Sequence, residues 1–156
     1  MEIVGATGAP DATETRLAAA RAFGEVQLLD ARLVCGRDHL LVAFEHADRA
    51  MREGTNVARS LAVEFVLYAS GERQINEAIA KMGVREDTTE FAVALFGGDP
   101  APALDALGLT RDDTVLMGTP AKFRSFGLSE AELTTVPADR HADLVLERVA
   151  LVDLLK

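Results

Sequence analysis

The sequence predicts a helix-rich α/β (α+β) domain with a small mixed β-sheet covered by helices. Three observations carry that prediction. Apolar residues recur at three- and four-residue steps through the middle of the chain, the period of amphipathic helices. Short apolar runs bounded by glycine and proline, above all Glu90 to Phe96, read as strands. A chain of 156 residues, 49% hydrophobic and 26% charged with 12 Gly and 5 Pro, suits one domain and excludes collagen-like or disordered classes. At that length about two-thirds of the unfolded surface is buried on folding.

Taken in order, Glu2 to Thr7 reads as a short strand running into a turn at Gly8-Ala9-Pro10. Asp11 and Glu14 form an N-cap and N3 pair for a short helix closed by Gly24. Val26 to Cys35 alternates well enough for a second strand, with a phase slip at Leu29-Asp30 that a bulge would absorb. Asp38 caps a helix from His39 to Glu53, ended by Gly54. Asn56 caps the next, Val57 to Ala69, which is apolar around much of its girth and is therefore expected to be central and buried.

Ser70-Gly71 breaks the chain before a helix from Arg73 to Met82, stopped by Gly83. Glu90 to Phe96 is the strongest strand. Asp99-Pro100 then starts a short helix that Gly108 ends. Thr114 to Met117 is a candidate last strand. Ser129 and Glu132 make a capping box, with Leu128 and Leu133 spaced as a hydrophobic staple. From Asp139 to Leu155 the chain carries more apolar residues than one helix face needs, so the helix is either buried on two sides or partly covered by a partner.

Several functions lack support. No apolar run reaches the roughly 18 residues of a membrane helix, and Met1-Glu2-Ile3-Val4 lacks the pattern of a signal peptide, so a cytoplasmic protein is expected. Cys35 is the only cysteine, which excludes an intrachain disulfide, and it reads as a small apolar residue. His39, His46 and His141 form no metal-binding spacing, Gly5-Ala-Thr-Gly8 is no dinucleotide or phosphate loop, and no nucleophile set stands out. Neither an enzyme nor a cofactor is expected.

The formal charge is −9, with only three Lys among the 16 cations. An acidic, lysine-poor surface fits a salt-loving source, where a Debye length of about 3 Å at molar salt screens repulsion of RNA.

The distinctive block is Glu64-Phe-Val-Leu-Tyr-Ala-Ser-Gly-Glu-Arg-Gln-Ile75. A carboxylate within the most apolar helix needs a partner, and Arg59 and Arg73 are nearest in sequence. Arg73 and Gln74, after a helix break, also suit an anionic ligand at free backbone N–H groups. A structural ion pair and a ligand site are both open on these grounds.

With His39-Leu40, Asn56 to Arg59, Ala78-Ile79, Gly83-Val84 and the ending Val145 to Asp153, this block resembles the archaeal Cgi-type subunit of the KEOPS complex, the relative of the eukaryotic PRPK-binding protein TPRKB. The resemblance implies a single domain of that type over residues 1–156. It implies a non-catalytic subunit of the machinery that makes threonylcarbamoyladenosine in tRNA, which binds the kinase/ATPase subunit and recruits tRNA through its single-stranded 3′ CCA end. DNA and membranes are not expected partners.

The family's Ser-Gly-x-Arg-Gln-Ile block falls on Ser70, Gly71, Arg73, Gln74 and Ile75; Asn56, Arg59 and Lys81 are expected to extend the RNA contact, and Asn56, Arg59, Arg73, Lys81 and Arg85 place several of the chain's few cations in one region as a local attractive patch. Val149, Leu151, Val152 and Leu155 are the expected kinase contacts. With one Tyr and no Trp, the chain lacks a multi-base stacking platform, so a short footprint is expected. The rival is a protein-interaction module that regulates a kinase-like partner and touches no RNA, with Arg73 and Gln74 serving structure alone. A second rival, an enzyme with a cryptic pocket, predicts turnover by the isolated chain.

Overall fold

A computed structural model describes residues 1–9 and 13–156, and of residues 13–15 the backbone only. The expected cap pair of Asp11 and Glu14 lies outside the described residues. In chain order the elements are β1 (Glu2–Thr7), α1 (Thr13–Ala20), β2 (Glu25–Asp30), α2 (Arg37–Glu53), α3 (Leu61–Ser70), α4 (Ile75–Met82), β3 (Glu90–Phe96), α5 (Pro100–Leu107), β4 (Thr110–Arg111), α6 (Pro120–Phe126), α7 (Glu130–Leu133) and α8 (His141–Leu155). The α+β class is as the sequence predicts. These elements form two compact units, residues 1–32 with 83–117 and residues 33–82 with 118–156.

The first unit holds the sheet, ordered β2-β3-β1-β4. All of its pairings are antiparallel, which corrects the expected mixed sheet. The reason is an insertion: β1 and β2 run the same way, but β3 slots between them and pairs antiparallel with both. As the central strand, β3 is buried from Phe91 to Leu95. One set of its side chains, Phe91, Val93 and Leu95, packs with Val4, Ala6, Val26 and Leu28 against Ala20 of α1 and Ala103, Leu104 and Leu107 of α5. These two short helices cover that face, while the long helices belong to the other unit.

Strand β2 stops at Asp30, so the expected run to Cys35 and its bulge are both absent. The Asp30 carboxylate turns the chain: its Oδ1 accepts from the backbone N–H of Arg32 at 3.0 Å, and the Arg32 guanidinium grips both oxygens at 2.7–3.1 Å. Ala31–Leu33 is consequently a 3₁₀ turn. Thr114 to Met117 is likewise no strand. Asp112 accepts from Thr114 N at 3.1 Å and starts a 3₁₀ helix, Asp113–Leu116, while the last strand is the shorter β4.

That 3₁₀ segment lies directly on β1. Gly5 donates to Asp113 Oδ1 at 2.8 Å and accepts from Asp112 N at 2.8 Å. A Cβ on Gly5 would stand 2.4 Å from Asp112 O and 2.8 Å from Val115 Cγ2. Gly5→Ala must therefore push backbone aside, and chemical denaturation should show a loss of about 1–3 kcal/mol. A loss under a few tenths would mean that the segment lifts freely.

The second unit is helical. Eight of the ten residues of α3 are buried, and it packs against α2, α4 and α8, so the expected central helix is present. It begins at Leu61 rather than Val57, because Ser60 supplies the N-cap by accepting from Val63 N. Asn56 is not a cap; its Nδ2 donates to Ala58 O at 2.8 Å. Helix α2 likewise starts at Arg37, with Gly36 at the N-cap position and Asp38 in its first turn.

The Ser129/Glu132 capping box forms as expected. Leu128 and Leu133 join Cys35, Phe123, Phe126 and Val145 in one cluster. Burial pushes the Cys35 thiol up to about 12, which suits an inert core residue. Helix α6 was not anticipated, although its signals are plain: Thr119 caps it, Pro120 opens it and Gly127 closes it.

Candidate functional site

The last turn of α3 exposes carbonyls that need donors, and each of the final four finds one. Ser70 Oγ donates to Leu67 O at 2.8 Å, Gly71 N to Tyr68 O at 3.1 Å, His39 Nε2 to Ala69 O at 2.7 Å, and Lys81 Nζ to Ser70 O at 2.7 Å. Gly71 takes the left-handed conformation, φ 70°, that ends such a helix. Its backbone packs beside Phe126 and Arg148, with a Cβ there meeting Arg148 Cβ at 3.5 Å. The Lys81 ammonium also reaches Glu72 Oε1 at 3.2 Å and sits 4.1 Å above the Phe126 ring. A cation at this end is further favoured by the helix dipole.

His39 is fixed as a neutral donor. Cys35 N donates to its Nδ1 at 3.1 Å, so the proton rests on Nε2, facing Ala69 O. Burial pushes the His39 pKa down to about 4, with Lys81 adding to the effect and the Ala69 bond opposing it. The unfolded imidazole titrates near 6.5, so the contribution of His39 to stability is complete above that pH and is lost as pH falls from 6.5 towards 4. Denaturant unfolding across this range should show a loss of about 3 kcal/mol that is missing in His39→Gln. An unchanged slope in that variant would remove His39 as its cause.

At the other end of α3, Glu64 is fully buried. Its Oε2 accepts from Val57 N at 3.0 Å and Ala58 N at 2.7 Å, and its Oε1 meets Lys156 Nζ at 3.0 Å. The cationic partner is thus Lys156, not Arg59 or Arg73. The same ammonium lies 4.6 Å over the Tyr68 ring. The Tyr68 hydroxyl donates to Asp153 Oδ1, while His46 Nδ1 and Arg49 Nη2 reach Asp153 Oδ2 at 2.6 and 2.7 Å. Burial works to raise the Asp153 pKa, but these three partners together outweigh it and hold the carboxyl below its ordinary value. Burial, then the bond to Asp153, pushes the Tyr68 phenol up. These contacts tie the end of α8 to α2 and α3.

The expected RNA residues therefore separate. Asn56 and Arg59 lie before α3, whereas Ser70 ends it and Gly71 to Ile75 follow, about 15 Å away along a ten-residue helix. Ser70 is fully buried with its hydroxyl engaged, and Lys81 is committed to the α3 cap. Neither is a free ligand contact. Arg73 and Gln74 are exposed, as is Arg59, and neither arginine makes a side-chain hydrogen bond or ion pair among the described residues. By contrast Arg49, Arg52, Arg124, Arg140 and Arg148 in this unit are all paired.

The expected kinase contacts also divide. Val149 and Val152 are fully buried in this chain's own core and cannot meet a partner. Leu151 and Leu155 face outward, 42% and 51% exposed, and sequence reasoning missed Leu154, the most exposed at 79%. The three sit at i, i+3 and i+4, one stripe of a helix whose other stripe, Val145, Val149 and Val152, is core.

A family model for the kinase binding protein CGI-121 matches residues 9–152. The chain belongs to the CGI-121 family. It is similar to the regulatory protein Cgi121 of Methanocaldococcus jannaschii, with 29% identity over 140 residues that cover 83% of this chain and 84% of the relative. In this CGI-121 chain the acidic charge is unevenly held. The first unit has twelve carboxylates against five cations, the second thirteen against eleven. Of the net −9, seven charges belong to the first unit and two to the second, which carries the Arg73 corner and the α8 stripe. Among the described residues no group of three or more His, Cys, Asp or Glu is placed to hold a metal, and no helix is long and apolar enough to cross a membrane.

Proposed function

We propose that this chain is a non-catalytic accessory subunit of the KEOPS tRNA-modification machinery. It docks on the kinase/ATPase subunit through the outer stripe of α8 and recruits tRNA through its 3′ CCA end at the Arg73 corner. Membership of a kinase-binding family supports the first half.

The observation that carries the RNA half is Arg73. It is exposed and unpaired among the described residues, next to exposed Gln74. The structural role that would have competed for it, neutralising Glu64, is filled by Lys156. A guanidinium with no internal partner is available to pack on an unstacked base or bind a phosphate, and Gln74 can address a base edge. The small net charge of the second unit leaves local attraction intact where the whole-chain −9 would oppose it.

The test is binding of the purified chain to one tRNA with and without its terminal CCA, titrated across salt and repeated with Arg73→Ala. Removing CCA or Arg73 should lower affinity at least ten-fold with an unchanged melting temperature. The salt slope should stay shallow, about −0.7 per phosphate contact for a single strand. Equal binding of intact and truncated tRNA, or no binding at any salt, would sink the RNA half and leave a kinase-binding module that touches no RNA.

A further inference from the structure

Buried Glu64 brings two exposed surfaces to one place. Its Oε2 accepts from the backbone N–H groups of Val57 and Ala58, and its Oε1 meets the ammonium of Lys156, the residue directly after α8. One carboxylate thus ties the segment before α3 to the end of α8 that carries Leu154 and Leu155. Within the tied segment Ala58 is buried, whereas Val57 and Arg59 on either side of it are exposed, Val57 at 46%. A lone exposed Val needs no explanation. Here, however, it stands at the same end of α3 as the outer leucines and two residues from an arginine that makes no side-chain bond among the described residues.

We propose that Val57 and Arg59 extend the docking face of α8, and that the kinase partner meets Arg59 with a carboxylate at the rim of its apolar groove. This rests on the α8 docking reading above and names a contact that selects the partner. A guanidinium fork matches either a carboxylate or a phosphate, each held by two parallel bonds. The surroundings of Arg59 favour the carboxylate of a protein. Val57 and the leucine stripe supply apolar surface at the same end of the helix bundle, and an apolar centre with arginine at its edge is the make-up of a protein interface. An RNA strand fits less well, because Arg73, the other unpaired arginine of the expected RNA set, lies about 15 Å away at the far end of α3. The two do not form one patch. A partner with a basic rim would be repelled by Arg59, so the same side chain that strengthens the right contact opposes a wrong one.

Arg59→Ala, Arg59→Glu and Val57→Ser, made in the full chain, test it by titration against the purified kinase/ATPase subunit at low and at molar salt. At low salt Arg59→Ala should weaken binding about five-fold and Arg59→Glu about ten-fold or more. Both differences should shrink at molar salt, where the Debye length is about 3 Å. Val57→Ser should weaken binding about three-fold at either salt, since an apolar contact is not screened. All three variants keep the backbone bonds to Glu64, so their melting temperatures should match the parent, and tRNA binding of the proposed kind should be unchanged. Parental affinity in Arg59→Glu, with binding lost when Leu151 and Leu154 are both changed to Asp, overturns the extension and leaves the α8 reading standing. Parental affinity in all of these variants, or no binding by the parent chain, means that the α8 reading itself has failed. Loss of tRNA binding in Arg59→Glu with kinase binding intact would make Arg59 an RNA contact and overturn the proposal.

Discussion

Lys156→Met is expected to remove about 3–5 kcal/mol of stability, although it changes one side chain at the end of the described chain. Glu64 is fully buried, and the side chain of Lys156 is only 6% exposed. Removing the ammonium leaves a carboxylate with two backbone N–H donors and no compensating charge in an apolar helix bundle, the situation in which breaking a buried pair is most costly. The pair as a whole is worth far less, because desolvating both ions offsets most of their attraction. Glu64→Gln combined with Lys156→Met should therefore recover a large part of the loss, since the amide oxygen still accepts from Val57 N and Ala58 N. Arg59→Ala and Arg73→Ala, which leave Glu64 untouched, should unfold at the parent midpoint. Urea unfolding of the four variants at neutral pH decides the matter. A loss under about 1 kcal/mol in Lys156→Met would mean that water reaches Glu64.

Local signals in the sequence were reliable. The strands at Glu2 and Glu90, the Asp99-Pro100 start of α5, the Ser129/Glu132 box and the buried character of α3 all rest on residues within one or two turns of each other, and all are present in the structure. What failed was long-range. Nothing near Glu64 points to a lysine 92 residues away, so Arg59 and Arg73 looked like its partners. The mixed sheet failed for the same reason, because the insertion of β3 between β1 and β2 is written in no single segment.

Ser70 and Lys81 have a structural role that the sequence pattern does not show. A Ser-Gly break followed by cations reads as a ligand site, but a helix end creates its own demand for donors, and these two residues satisfy the end of α3. Arg73 and Gln74 remain because no carbonyl or carboxylate among the described residues claims them. On α8 the apolar excess was legible, but its division into a core stripe and an outer stripe was not, since period alone does not say which stripe faces in.

Leu151→Asp combined with Leu154→Asp should weaken binding to a kinase partner at least 100-fold while leaving the melting temperature, and any tRNA binding of the proposed kind, unchanged. Burying one leucine is worth roughly 1.5–3 kcal/mol, so losing two such contacts exceeds the 2.7 kcal/mol of a 100-fold change even before the aspartates are desolvated. The outer stripe presents Leu151, Leu154 and Leu155 at i, i+3 and i+4, the anchor spacing of a helix laid into an apolar groove. It is also pre-organised. Tyr68, His46 and Arg49 hold Asp153 on the helix, and the Lys156–Glu64 pair holds the residue after it, so little ordering is left to oppose docking. Val152→Asp is the contrasting control. Its side chain is fully buried, so it should unfold the second unit instead of selectively removing the partner. If the double leucine variant still captures the kinase partner at parental affinity in a titration, α8 is not the docking face, and the exposed leucines lose the role assigned to them.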